Sequence, residues 1–308
     1  MSLEFDTLLP QWGFSSEVPY TSCSNGVDNY TYRIEAPEQP YILAALRTAS
    51  THRLEQIIAL INWLKSCELP VAPTLTTLSG APYLMCGDYP VVVQHCLPGA
   101  STKQPNSKQC ESAGRILGHF HQCTQHLQAL QNLEAEDWKS HTCALLKSYA
   151  HTMSEPELEL QQQLISMKLA EDFPEGVLHN DFFCDNLLFA VQEHKLTHHC
   201  TGLIDFYCMT RGYLLRDIAI ALIDWAWDPQ TKQYLAPLVR SFLDGYQTQR
   251  LLSAQEKQAL PDFTLFAAGS IWAYRLERLE RGDSLSPNRS PADMINRLQA
   301  LQDISAFS

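Results

Sequence analysis

The sequence predicts an α+β fold of two lobes. A small β-rich lobe with one helix spans residues 1–97, and a larger, mostly helical lobe spans 98–308. Short strand-like runs separated by turns fill the N-terminal part. A Pro-, Ser- and Lys-rich stretch, PGASTKQPNSKQ (98–109), follows and reads as a linker. Helical periodicity dominates beyond it, broken by one strand-rich region. A chain of 308 residues can bury a large core and usually divides into two units.

The elements follow in order. YTYRIEA (30–36) and PYILAALR (40–47) are β-like runs joined by a short polar link with a proline, the pattern of a hairpin. Between Thr51 and Ser66, Leu54, Ile57, Ile58, Ile61 and Leu64 recur on one helical face, and Pro70 and Pro73 close the segment. YLMCGDYPVVVQHCL (83–97) supplies two strands around a Gly-Asp turn. Past the linker, 110–130, about 139–170, 214–228, 232–250 and 257–281 read as helices.

Composition narrows the function. Hydrophobic residues make up 45% and charged residues 18%, ordinary for a folded globular chain. A net charge of −12 argues against nucleic acid or an anionic membrane as the main partner, because both select basic surfaces. The apolar run Ile218–Trp227 is short and interrupted by Asp224, so no membrane span is expected. MSLEFDTLLPQWGF lacks the basic and apolar regions of a signal peptide, and the 10 cysteines form no CxxC pair. Together these point to a cytoplasmic protein with reduced thiols; oligomeric state stays open.

The stretch HNDFFCDNLLF (179–189) opens on His179, Asp181, Asp185 and Asn186 and then turns apolar. Buried charge is costly, so this mixture suggests a loop that presents chemistry and is anchored by the strand after it. TGLIDFY (201–207) is a second apolar strand, ending on Asp205. Opposed residues of an antiparallel hairpin share a constant index sum. Pairing Asn186 with Asp205 centres the turn between Lys195 and Leu196, inside polar QEHKLTHH, with His198-His199-Cys200 in that turn. An amide oxygen beside a carboxylate suits Mg²⁺, and a separate carboxylate can orient a hydroxyl and take its proton. These are the parts of phosphoryl transfer.

His179-x-Asp181 with Asn186, followed by Asp205-Phe206, also matches the catalytic-loop and metal-loop pattern of the protein-kinase-like fold. GVLHNDFFCDNLLF and GLIDFYCMTRGYLLRDIAIALIDWA resemble the aminoglycoside phosphotransferase and choline kinase group, and most of all the ThrB-type homoserine kinases. SNGVDNYTYRI, ELPVAPTL, LPGAS and GRILGHFHQ fall in the order such enzymes would place them, over about residues 20–281.

The resemblance implies a bilobal kinase that uses ATP and Mg²⁺ to phosphorylate the hydroxyl of a small amino-containing metabolite, homoserine first. Aminoglycosides, choline or other amino alcohols are the alternative acceptors. In that reading Asp181 is the base, Asn186 and Asp205 hold the metal, and His179 is structural. Asp217 is placed to cap the helix after it and to brace the catalytic loop. Nucleotide would lie in the N-terminal lobe, under the turn of SCSNGVDNYT with Gly26 and Asn29, and against the backbone of Gln94, His95 and Cys96. Asp224 and Trp225 are candidates for a substrate ammonium, and Arg211, Arg216 or Arg275 for its carboxylate.

One departure stands out. The group usually carries a basic residue where this chain has Ala44. Arg47 is the nearest substitute, with Glu55 as its partner, and the gap keeps a nucleotide-binding pseudokinase open as a second reading. His119, Cys123 and His126 share a helical face in HFHQCTQH but read as half-buried packing, so no zinc site is expected.

Overall fold

The computed structural model describes residues 4–23, 29–47, 49–125, 127, 133, 137–283 and 285–302. A short helix α1 (Phe5–Leu8) and a 3-10 turn precede a five-stranded antiparallel sheet. Its strands are β1 (Tyr20–Ser22), β2 (Asn29–Glu35), β3 (Pro40–Leu46), β4 (Leu84–Cys86) and β5 (Tyr89–His95), in the order β1-β2-β3-β5-β4. Strand period decides its two faces. Tyr41, Leu43, Ala45, Val91 and Val93 face the N-terminal segment Phe5–Trp12, while Ala44, Leu46 and Val92 face the other way and meet Leu54.

Leu54 belongs to α2 (Thr51–Ser66), whose first turn is capped by the Ser50 hydroxyl accepting from Arg53 N at 3.2 Å. The rest of its buried stripe, Ile57, Leu60, Ile61 and Leu64, does not side with the sheet. It joins the large core of the C-terminal lobe.

The linker ends sooner than its composition suggests. Asn106 and Gln109 exchange side-chain and backbone hydrogen bonds at 3.1 and 3.0 Å, a capping box that starts α3 (Ser107–Thr124) inside the predicted linker. Ala100 pairs with Phe189 through both backbone bonds, at 3.0 and 2.9 Å, which fastens the linker to the C-terminal lobe. The predicted helical stretch 139–170 is two helices, α4 (Trp138–Ser148) and α5 (Glu155–Ser166). Ser154 and Pro156 start the second, as expected of a capping residue followed by a proline in the first turn.

Then come β6 (Glu175–Leu178), β7 (Leu187–Gln192), β8 (Lys195–Leu203), β9 (Thr210–Tyr213) and α6 (Leu214–Trp225). A small pair, β10 (Trp227–Asp228) and β11 (Gln233–Tyr234), leads into α7 (Ala236–Gln247), α8 (Ala254–Glu280) and α9 (Pro291–Leu301). β6 pairs with β9, and β7 with β8.

The β7–β8 register corrects the expected pairing. Gln192 faces Lys195, so the turn is the Glu193-His194 pair, both at positive φ (48° and 63°), and two irregularities shift the register before Leu187 reaches Leu203. Asn186 therefore opposes Ile204, whose N–H its carbonyl accepts at 3.1 Å, and Asp205 lies two residues past the end of β8 at φ 68°. His198 and His199 sit on β8 rather than in the turn.

α3 and α7 touch backbone to backbone through glycines. A methyl group at Gly114 would overlap the Phe242 carbonyl oxygen, and one at Gly245 would overlap that of Glu111. Gly114→Ala is expected to force the helices apart and cost about 1–3 kcal/mol or more, read as a lowered midpoint in urea. An unchanged midpoint would contradict the close approach.

Candidate active site

The loop 179–186 hangs from one face of α6. Asp217 accepts from the backbone N–H of His179 and Asn180, both at 2.8 Å. Seven residues on, Asp224 Oδ2 accepts from Cys184 N at 2.9 Å, and the Trp225 indole donates to the Phe182 carbonyl at 2.9 Å. This i, i+7, i+8 spacing is a single helical face, here spent on holding a loop. Asp217 is fully buried three residues inside α6, whose N-cap is Tyr213, so it caps no helix, contrary to expectation. Trp225 is fully buried as well and offers nothing to a substrate.

Within the loop, Asn180 takes φ 61°, a left-handed conformation that Asn tolerates better than most residues. Its side chain donates to the Cys208 carbonyl (3.0 Å) and the Thr210 hydroxyl (2.6 Å), tying the loop to the segment after Asp205. His179 does the same from inside. Asp181 N donates to its Nδ1 at 3.3 Å, which leaves Nε2–H to donate to the Ile204 carbonyl at 3.1 Å. Phe120, Phe182 and Phe206 surround that imidazole.

Asn186 spends both amide hydrogens on Asp181, at 2.8 Å to its carbonyl and 2.8 Å to Oδ2, and so turns its own oxygen the other way. Burial, reinforced by the charges of Asp205 and Asp185, holds the Asp181 carboxyl well above the usual range, while Arg289 works in the opposite direction. The structure thus brings Asp181, Asn186 and Asp205 into one acidic cleft.

That field fits a divalent cation, which would relieve the repulsion. Among the described residues no three His, Cys, Asp or Glu side chains close on a single point. An ion here would find few protein ligands, as suits Mg²⁺, which typically takes one or two carboxylates and completes its shell with phosphate oxygens and water.

Behind Asp217 runs a buried chain of hydrogen bonds that the sequence reading missed. His121, fully buried on α3, meets Asp217 Oδ2 through Nε2 at 3.0 Å and the Tyr246 hydroxyl through Nδ1 at 2.7 Å. Arg250 donates to the same hydroxyl at 2.8 Å and pairs with buried Glu256. Burial would push Asp217 up, but the bond from His121 and the loop amide of His179 bring it below its usual value. Burial lowers both His121 and His179, outweighing the attraction of Asp217.

A depressed imidazole contributes stability that is present above the unfolded value near pH ~6.5 and lost as pH falls below it, because only the unfolded chain then takes up the proton. Each histidine can cost at most about 2 kcal/mol at pH 5. The melting temperature should therefore fall more between pH 7 and 5 in the parent than in His121→Gln, the raised carboxyl of Asp181 acting in the opposite direction in both. Parallel curves for the two proteins would exclude His121.

The N-terminal lobe departs further from expectation. Gly26 lies outside the described residues. Asn29, at the start of β2, accepts from Arg47 N at 3.3 Å, and the Arg47 guanidinium stacks over the Tyr30 ring at 5.4 Å. Arg47 does not pair with Glu55, whose carboxylate accepts instead from the Tyr83 hydroxyl at 3.2 Å. Ala44 is buried in a small apolar cluster with Leu46, Leu54 and Val92.

Gln94 is half-buried and donates to the Ala72 carbonyl at 3.3 Å, while the His95 ring meets Gln39. Cys96 N already donates to the Pro40 carbonyl at 3.1 Å, so that amide is not free to pair with an adenine base, contrary to expectation. A missed cation is Arg53 on α2. It donates to the carbonyls of Tyr207 (3.3 Å) and Met209, and so grips the segment after Asp205. It falls on the polar side of the helical stripe, where periodicity gives no signal.

The expected substrate residues are largely engaged elsewhere. Arg211 on β9 reaches across to Glu175 on β6 at 3.7 Å, Arg216 stacks on Trp138, and Arg275 binds the Ser290 carbonyl and Asp293. Asp224 is partly exposed, but besides Cys184 N it pairs with Arg297 at 3.2 Å. Arg289, which drew no attention in the sequence, forms an ion pair with Asp185. His198 and His199 are exposed and, with Lys65, Arg115, Leu97 and Pro98, line a cavity of about 660 Å³ that no residue of the loop 179–186 touches. His119 and Cys123 are half-buried and His126 lies outside the described residues.

A β-rich lobe on a helical one, with the acidic cleft carried by the second, is the architecture of the protein-kinase-like phosphotransferases. The chain belongs to the phosphotransferase enzyme family (APH), which it matches over residues 20–252. It is 28% identical to the homoserine kinase of Methylobacillus flagellatus over 261 residues (83% of this chain, 78% of that one). It is 29% identical to that of Rhizobium meliloti over 294 residues (90% and 83%). Among solved structures it superposes on an amicoumacin kinase in complex with AMP-PNP and Ca²⁺ with a TM-score of 0.71 at 18% identity, covering 97% of this chain and 92% of that one. A microcompartment-associated aminopropanol kinase gives 0.69 at 19%, covering 96% and 94%. The protein is a small-molecule kinase acting on a hydroxyl group, and its family implies use of ATP and a divalent metal. Among the described residues no helix is long and apolar enough to cross a membrane.

Proposed function

We propose that this kinase transfers the γ-phosphoryl group of Mg·ATP to the hydroxyl of homoserine. The observation that carries the reading is the joining of Asp181 to Asn186 by a 2.8 Å hydrogen bond in the field of Asp205. The homoserine kinases among its relatives supply the acceptor.

Asn186 and Asp205 would hold Mg²⁺, which when bound draws the phosphate oxygens together and offsets their charge. Asp181, steered by the Asn186 amide, orients the acceptor hydroxyl and accepts its proton as the oxygen attacks phosphorus. His179, Asn180 and Asp217 keep the loop from moving during that step, so positioning supplies much of the acceleration.

The test is ADP release from Mg·ATP with homoserine, choline, ethanolamine, methylthioribose and an aminoglycoside. Homoserine-dependent release supports the proposal, and release only with another member of the panel overturns the acceptor. Buried Ala44, with no cation in its place, favours a second reading, nucleotide binding without transfer. Binding of ATP with no release from any acceptor would support it.

A further inference from the structure

The acidic cleft poses a problem for an α-amino acid. Asp181, Asp185, Asp205 and Asp224 attract an ammonium group and repel the carboxylate beside it. From the Asp185–Arg289 contact we infer that this ion pair is the receptor for the acceptor's zwitterionic head. Arg289 takes the carboxylate and Asp185 the ammonium. The inference rests on the homoserine reading and adds the residues that would make it selective.

Position and freedom support it. Asp185 sits in the catalytic loop, four residues after Asp181, and Arg289 comes from the turn that precedes α9. The side chains are 45% and 46% exposed, and the structure gives each the other as its ionic partner. An exposed pair of this kind contributes little to folding, so a ligand can part it at low cost.

A second nearby cation, Arg297, is not exchangeable. It is 7% exposed and bound to the Ile223 carbonyl, Asp224 and Asp293. A zwitterion inserted between Arg289 and Asp185 replaces one ion pair by two, leaves no charge uncompensated, and holds its side-chain hydroxyl toward Asp181. An acceptor with an ammonium but no carboxylate would use Asp185 alone.

Steady-state kinetics of the full chain with Mg·ATP test this on three acceptors: L-homoserine, 3-aminopropan-1-ol, which lacks the carboxylate, and 4-hydroxybutyrate, which lacks the ammonium. Arg289→Gln should raise KM for homoserine about ten- to a hundredfold with a much smaller change in kcat, and should raise KM for 3-aminopropan-1-ol far less or not at all. Asp185→Asn should weaken both amino acceptors and spare 4-hydroxybutyrate. Equal losses on all three acceptors, or none, in Arg289→Gln overturn the receptor while leaving the kinase reading intact. A wild-type enzyme silent toward homoserine but active on another acceptor overturns the homoserine reading itself. Circular dichroism of each variant separates loss of fold from loss of recognition.

Discussion

Replacing Asp181 with Asn should lower kcat about 10²–10⁴-fold while leaving ATP affinity nearly unchanged. The substitution is close to isosteric, so it tests the carboxylate rather than the shape of the loop. Asp181 has its backbone fixed on both sides, through its carbonyl to Phe183 N and Asn186 and through its N–H to His179. Losing the charge therefore removes the acceptor for the hydroxyl proton without releasing the loop. It also relieves the repulsion from Asp205 and Asp185 that raises this carboxyl, so the variant should be no less stable than the parent. Turnover within a fewfold of wild type, by ADP release under saturating ATP and acceptor, would remove Asp181 from the mechanism.

Asp217→Asn should do the reverse, costing stability first and activity as a consequence. One fully buried carboxylate accepts from two loop amides and from His121. An Asn has one oxygen to offer and turns hydrogens toward at least one donor. Stranding buried donors and removing the charge costs about 2–5 kcal/mol. The melting temperature should fall by roughly 3–8 degrees and kcat should drop with the loosened loop. Combined with His121→Gln the loss should be less than additive by about 0.5–3 kcal/mol, because both changes break the same contact. A variant that melts with the parent and keeps its kcat would show that the loop does not depend on this carboxylate.

The candidate site was legible in the sequence because the proposed phosphoryl transfer needs an acid, an amide and a second acid at set separations, and Asp181, Asn186 and Asp205 keep that spacing. Helix α2 was legible to its ends because its apolar stripe is regular and Ser50 and the prolines bracket it. The β7–β8 register was not, because its irregularities consume residues that a constant index sum cannot count. What holds the loop was hidden for a different reason. His121 lies on α3, Tyr246 on α7 and Arg250 just past it, and the glycine contact between those helices brings them together. Arg289 and Arg297 come from a C-terminal segment whose cations look, in sequence, like ordinary surface charge.

The split allegiance of α2 has a mechanical consequence. Arg53 grips the carbonyls after Asp205, the Trp63 indole donates to the Cys123 carbonyl at 2.8 Å, and Pro70 accepts from Leu203 N at 2.7 Å. The helix is thus bolted to the helical lobe along its whole length and meets the sheet mainly through Leu54. The Ala44–Leu54–Val92 contact is then the seam at which the five-stranded sheet rests on a helix that belongs to the other lobe's core.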